Sequence, residues 1–307
     1  VILKNHGKLK EAEIAYRKAI EIKTDFADAH SNLGNILKDL GKLKEAEFSY
    51  RKAIELNPSR NTYFQYASYF FIMRELDSAE ENILKAKILS EKNLKTYLLD
   101  AAHCSINFYS KRSINVSNLN FSEDSKILHS KESAKLILTR SVEIELISYL
   151  YKLKNKKLET TNHTDARYGE GVCSSDFELF NDISLIITKL KMDIIKICKK
   201  ALAIDEMVIC DSFFNIFTSG SGATPHAHIG PQDKHFNLSN NKYTLVYYLD
   251  TGDQTGKDPG ILKLHNPYEE ILPNTGMILI IDSKRKHSVS YTGNKDRVMV
   301  GVNFYGF

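Results

Sequence analysis

Three histidines and one arginine in the last third of the chain have the residue types and spacing to build a metal-centred site. His226 and His228 stand two apart at the end of TPHAHIG, a run with strand character. Residues two apart on a strand point to the same face, so both imidazoles can share one divalent ion. His287 follows the apolar run MILIID on a separate strand and is the candidate third ligand. Arg297, about ten residues further on, opens the run RVMVGVNF. Its guanidinium can hold a carboxylate through two parallel charge-assisted hydrogen bonds.

Such side chains have to be positioned by strands. TPHAHIG, YTLVYYLD, GILKLHNP, PNTGMILIID, KHSVSYTG and DRVMVGVNF are rich in β-branched and aromatic residues, and Gly, Pro, Asn or Asp bounds each. That punctuation predicts a small all-β sandwich or barrel. Upstream, residues 134–154 and 177–203 carry apolar side chains at helical spacing, the second with Phe180, Ile183, Ile186, Ile187, Leu190, Ile194 and Ile197 on one face. Both read as helices that buttress the sheet, separated by a polar run over 155–175.

The order His-x-His, a long gap, His, then a basic residue about ten on resembles the 2-oxoglutarate- and iron(II)-dependent oxygenases. The resemblance covers residues 207–307 and is nearest to a branch whose first motif is His-x-His in place of His-x-Asp. Tyr248 in VYYLD stands where many prolyl-hydroxylase-like members place a tyrosine on the co-substrate, Gly260 to Pro267 forms the expected strand ending in Asn-Pro, and Asn303 with Phe304 closes the last strand. The resemblance implies a double-stranded β-helix (jelly roll, cupin-like), with His226, His228 and His287 as ligands of Fe(II). It also implies 2-oxoglutarate held by Arg297 and Tyr248, and dioxygen as oxidant. The chemistry agrees: a facial set of three ligands leaves positions for a chelating 2-oxo acid and dioxygen. Two departures stand out. The usual carboxylate ligand is absent, with Asp233 and Asp250 nearby but not at the i+2 position, and Met299 replaces the serine often found two residues past the arginine. A histidine-only cupin-type site for zinc or another divalent ion fits the same spacing.

The N-terminal part is organised differently. GKLKEAEIAYRKAIEI from Gly7 and GKLKEAEFSYRKAIEL from Gly41 repeat with a 34-residue period, that of the tetratricopeptide repeat. Leu33, Gly34, Ala46, Tyr50, Ala53 and Pro58 occupy the motif's packing positions, with His30 where Trp is common. An eroded third copy follows, with Phe64, Ala67, Phe71, Ala79, Ile83 and Ala86, and a helix over 93–109 caps the stack. Lys8, Lys10, Glu11 and Glu13, with Lys42, Lys44, Glu45 and Glu47, read as a solvated mixed-charge face.

The expected organisation is therefore an all-α solenoid over 1–109, a polar connector over 110–132, and a β-helix domain with two supporting helices over 133–307. Val1 is not a natural start, so a repeat is expected to be cut there. A net charge of +4 from 42 basic and 38 acidic residues argues against nucleic acid as a partner. The sequence has no apolar run of the roughly 20 residues that span a bilayer and no signal-peptide order at its start, which leads us to expect a cytoplasmic chain without a membrane partner. The four cysteines, widely spaced, read as thiols of core or surface. The repeats suggest a protein or peptide bound in their groove, and oligomeric state is open. Two functions follow: an oxygenase acting on a recruited protein, peptide or small molecule, or an interaction scaffold whose cupin-like module is passive or holds another metal.

Overall fold

In the computed structural model, residues 8–90, 96–113, 135–158 and 166–307 are described. Two compact units divide the chain, 1–117 and 118–307.

The first unit is a stack of antiparallel helices, α1 Leu9–Ile22, α2 Ala27–Asp39, α3 Leu43–Leu56, α4 Arg60–Ile72, α5 Leu76–Ile88 and α6 Tyr97–Ser113. Its inner positions are those the repeat pattern marks: Leu33, Ala46, Tyr50 and Ala53, then Phe64, Ala67, Phe71, Ala79, Ile83 and Ala86, are all buried. Gly34 is a packing device, because a Cβ there would lie 2.8 Å from the Tyr50 ring, so α2 and α3 meet at a separation only glycine permits. Where Gly41 turns the chain with φ of 74°, the eroded copy uses Arg74 with φ of 62°. His30, in place of the usual aromatic, is buried and donates from Nε2 to the Thr24 carbonyl at 3.1 Å.

The expected solvated charge face is partly an ion-pair network between helices. Glu13 is buried and receives Lys42 at 2.8 Å and Arg17 at 2.9 Å, and Arg17 also reaches Glu45 at 2.6 Å. Lys42, ahead of Arg17, holds the Glu13 carboxyl below its ordinary range. The last helix runs four residues beyond the expected cap, through Ser113. Gly7 and residues 114–132 of the expected connector lie outside the described residues.

Among the described residues, the second unit contains twelve strands in two antiparallel sheets. They are β1 Lys135–Thr139, β2 Asn155–Lys157, β3 Arg167–Tyr168, β4 Val172–Ser174, β5 Met207–Phe217, β6 Ser221–His226, β7 Lys242–Asp250, β8 Pro259–Leu264, β9 Glu269–Ile271, β10 Met277–Asp282, β11 His287–Tyr291 and β12 Arg297–Gly306. The larger sheet has the order β1-β10-β7-β12-β5-β4-β2 and the smaller β3-β6-β11-β8-β9. Between β5 and β12 the chain passes back and forth between sheets, which is the winding of a double-stranded β-helix.

The central strands of the larger sheet are buried on both faces, which is why VYYL, MILII and RVMVGVNF read as nearly unbroken apolar runs. Their outer side chains (Leu245, Tyr247, Ile278, Ile280, Val298, Val300, Val302) pack with Leu190, Ile194 and Cys198, and their inner ones (Tyr248, Leu279, Ile281, Met299) face the smaller sheet. The outer layer comes from α7 Ile144–Leu150 and α8 Leu185–Leu202, the latter started by Ser184, whose hydroxyl accepts from the Ile187 N–H.

Three sequence expectations change here. Residues 134–154 are not one helix: KLILT pairs as β1 with the free edge of β10, and only Ile144–Leu150 is helical. Sheet-edge hydrogen bonds outweigh the helical spacing for that stretch. The second helix begins at Leu185, after a 3-10 turn at Leu179–Asn181, so Ile183 is exposed while Ile187, Leu190 and Ile194 form the buried stripe. The polar run 155–175 contributes three short strands. None of the four cysteines is in a disulfide.

Gly34 gives a direct test of the repeat packing. Gly34→Leu would drive a branched side chain into the Tyr50 ring, and overpacking of this kind costs about 1–3 kcal/mol. Hydrogen exchange should accelerate in α2 to α4 and stay unchanged in the strands of the second unit; unaltered exchange in α2 and α3 would contradict the close contact.

Candidate metal centre

β6 ends at His226, and its partner across the smaller sheet is His287, the first residue of β11. This pairing sets two imidazoles on neighbouring strands with ring centres 4.4 Å apart. His228 lies just past the end of β6, and its backbone N–H donates to the Ser283 carbonyl at 2.9 Å, which ties the loop to the end of β10. One nitrogen from each of the three rings lies within 4.8 Å of the others, and among the described residues this is the single such cluster of His, Cys, Asp or Glu.

The tautomers of two rings follow from their partners. A carbonyl can only accept, so the Nδ1 of His226, 2.7 Å from the Thr224 carbonyl, carries a proton, as does the Nδ1 of His287, 3.3 Å from the Arg285 carbonyl. Each Nε2 is then a lone-pair donor, the form in which imidazole ligates a metal. His228 Nδ1 meets the Asn303 side-chain amide at 3.2 Å, and that amide also touches Asp211 at 2.7 Å and accepts from Thr244 at 2.7 Å. As oriented, the amide donates to Nδ1. Turning it so that its oxygen accepts from His228 would free Nε2 in the same way, with a proton on Asp211 or a shift of that side chain completing the change.

Burial keeps two of these rings, His228 and His287, neutral. Desolvation, reinforced by His287 and His226, pushes His228 down to about 2. Desolvation and then His226 bring His287 to about 4. Neutral imidazoles are what a divalent ion requires.

Arg297 is completely buried, between the two sheets. One nitrogen, Nη1, donates to the Gly260 carbonyl, and the rings of Tyr248 and Tyr291 lie 5.1 and 6.0 Å from the guanidinium carbon. Gly260 has φ of 81°, and a Cβ there would run into Nη1, so glycine is needed for the approach. Nε and Nη2 are buried and meet no hydrogen-bond acceptor among the described residues. Burial pushes the guanidinium pKa down, against the opposing influence of Tyr248. Each unmade bond to such a group costs about 1–3 kcal/mol or more, which a bound carboxylate would recover.

Arg297, Tyr248 and the three histidines line one cavity of about 450 Å³. Met299 lines it too, directly across from Tyr248 on the adjacent strand, and offers no hydrogen-bond donor. The alternative carboxylates are elsewhere. Asp233 is buried against Lys242 at 3.1 Å, Tyr305 and the Gly230 N–H, where it anchors the loop after His228, and Asp250 binds the Gly252 N–H at the exposed end of β7. His103 pairs with Glu80 and His265 with Ser288, while His163 lies outside the described residues. The sequence reading missed Arg167, Phe177, Phe213 and Asn215, which also line the cavity. Alternation along β5 could have placed Phe213, Asn215 and Phe217 on one inward face, but nothing in the polar run around Arg167 signals its position.

The pH dependence of the metal-free protein follows from these rings. The unfolded chain takes up histidine protons below about 6.5, whereas folded His287 does so only near 4. Its contribution to stability is thus complete above 6.5 and is lost as pH falls toward 4, and His228 continues the loss toward 2. Denaturant unfolding of the parent minus His287→Gln, stepped through this range, should show the difference shrink with falling pH; a difference independent of pH would overturn the neutral assignment.

A tetratricopeptide-repeat family model matches residues 27–60 and a second model of the repeat matches residues 2–41. No curated protein matches the chain. Among solved structures, similarity is found to a 2OG-Fe(II) oxygenase family oxidoreductase from Burkholderia pseudomallei, at 12% identity and TM-score 0.40, covering 62% of this chain and 93% of that one. A prolyl-4-hydroxylase from Pseudomonas putida gives 13% and 0.42, covering 61% and 98%. A viral collagen prolyl hydroxylase from Paramecium bursaria Chlorella virus-1 gives 12% and 0.41, covering 58% and 99%.

Proposed function

We propose that the second unit is an iron(II)- and 2-oxoglutarate-dependent dioxygenase that hydroxylates a C–H bond. The observation that carries this reading is the pairing, in one cavity, of three imidazole nitrogens with a fully buried arginine, two of whose nitrogens meet no acceptor among the described residues. His226, His228 and His287 would hold the ion. The bound metal supplies oxidative chemistry in which 2-oxoglutarate, dioxygen and R–H become succinate, carbon dioxide and R–OH.

This chain's own residues do the positioning. Arg297 directs Nε and Nη2 at the far carboxylate of the co-substrate, a planar match that an ammonium could not reproduce. Tyr248, buried beside it, offers its hydroxyl to the same carboxylate. Phe217, Leu262 and Met299 wall the cavity with apolar surface and limit water near the reacting groups. With Met299 in place of a hydroxyl, the carboxylate relies on Arg297 and Tyr248.

A second reading is favoured by the absence of a carboxylate from the triad among the described residues. Three neutral ligands also suit zinc, and the unit would then be a metal-stabilised binding module beside an interaction domain. In either case the repeats, a fold that generally mediates protein contacts, are assigned the recruitment of a protein or peptide. Among the described residues no helix is long and apolar enough to cross a membrane.

Two measurements separate these readings. Iron-loaded parent should convert 2-oxoglutarate to succinate, and His226→Ala with His287→Ala should abolish stoichiometric metal in a folded protein. A double variant that retains full metal by elemental analysis removes the ligand assignment. Arg297→Leu should weaken 2-oxoglutarate binding by about tenfold or more, the equivalent of one charge-assisted hydrogen bond, while metal stoichiometry persists. Arg297→Lys should restore part of it. Equal affinity in Arg297→Leu and parent would leave the co-substrate without its anchor and favour the zinc module.

A further inference from the structure

We propose that Arg285, held by Glu269, is a positioning residue for the histidine cluster: it fixes the turn that places His228 and His287, and so sets the affinity for the metal. The word metal rests on the reading of the triad given above; the placement of the rings rests on the following geometry. The turn over residues 283–286 links β10 to β11, and its carbonyls serve the cluster and its surroundings in order. That of Ser283 accepts from the His228 N–H at 2.9 Å, that of Arg285 from His287 Nδ1 at 3.3 Å, and that of Lys286 from the His265 N–H at 2.8 Å. The Ser283 hydroxyl also meets Thr244 at 2.9 Å, and Thr244 donates to Asn303, the amide beside His228 Nδ1. Two of the three imidazoles thus depend on one four-residue segment. His226 instead has its Nδ1 at the Thr224 carbonyl of its own strand.

The Arg285 side chain ties this turn down. It is buried, and Nη2 donates to Glu269 Oε1 at 2.6 Å and to the Pro267 carbonyl at 2.9 Å. Glu269 opens β9, the outermost strand of the smaller sheet, and its other oxygen receives Lys135, which opens β1, the outermost strand of the larger sheet. One carboxylate therefore joins the turn to the edges of both sheets. Nε and Nη1 meet no acceptor among the described residues, so the hold passes through Nη2. The pair is well shielded, with side-chain exposures of 7% for Arg285 and 20% for Glu269, and a shielded ion pair is felt when one member is removed. Arg285 is not among the residues that line the cavity, so its side chain acts on the cluster only through the turn. A partner that orients a ligating imidazole through its other nitrogen typically changes metal affinity by about 10–100-fold.

Two readouts on the full chain test this. Zinc is titrated in competition with a chelating dye, and the imidazole tautomers of the metal-free protein are read at neutral pH by long-range proton–nitrogen NMR, with His226→Gln and His287→Gln marking the two signals. Arg285→Ala should weaken zinc binding by about 10–100-fold. In the same variant His287 should lose its single Nδ1–H form while His226 keeps its own, a difference that general loosening of the fold would not produce. Arg285→Lys, which restores the charge opposite Glu269, should recover part of both. If Arg285→Ala fails to fold, Glu269→Gln, which keeps an oxygen for Nη2 and removes the charge, carries the same comparison with a smaller shift. Unchanged zinc affinity, an unchanged His287 tautomer, or an equal disturbance of His226 overturns the assignment. A parent that binds no zinc would remove the metal reading instead, and the His287 tautomer alone would then decide the role of Arg285.

Discussion

An ionised guanidinium placed where water cannot reach it is the constraint on which the β-helix interior depends. Arg297 has no exposure, one carbonyl partner and two tyrosine faces, so it remains charged at a cost that a ligand would offset. Its surroundings are shaped to that end. Gly260 adopts a left-handed conformation to bring its carbonyl to Nη1, and Tyr248 and Tyr291 give their π faces rather than competing carboxylates. An internal acid would satisfy Arg297 and close the site to any ligand.

The double sheet makes this possible because its larger layer is buried twice. Valines and tyrosines on the outward face of β7 and β12 pack against α7 and α8, leaving the inward face free for groups that would weaken an ordinary core. Arg297, Met299, Gly301 and Asn303 occupy alternate positions of β12 on that inward face, between Val298, Val300 and Val302 on the other. The strand thus separates stability from chemistry by pleat. The histidines use the opposite sheet, where the His226–His287 register brings two imidazoles together and the His228 N–H bond to Ser283 brings the third.

The repeat unit shows a different economy of design. Its cohesion comes from small residues at close helix crossings and from an aromatic cluster in which Tyr50 and Tyr66 stack at 5.5 Å and Tyr66 meets Phe70 at 4.4 Å. Such contacts are between neighbours in the stack, so stability is summed along it. The ion pairs of buried Glu13 with Arg17 and Lys42 are likewise between near neighbours in the stack.

The sequence by itself determined the features that are local or periodic. The 34-residue period fixed the helical repeats, and strand alternation with turn residues gave the β class. The order of His226, His228, His287 and Arg297 identified side chains that the fold does bring to one cavity. Tertiary structure decided what depends on partners distant in the chain. KLILT became a strand because β10 offered an open edge, Ile183 was shed from the apolar stripe because the helix starts at Leu185 behind its Ser184 cap, and Asp233 became a loop anchor because Lys242 and Tyr305 converge on it. Arg167 stayed hidden for the same reason. Its short strand has no periodic signature, and its place in the cavity comes from pairing with Ala223 and reach to Asn215, contacts set by the folded sheets rather than by neighbours in sequence.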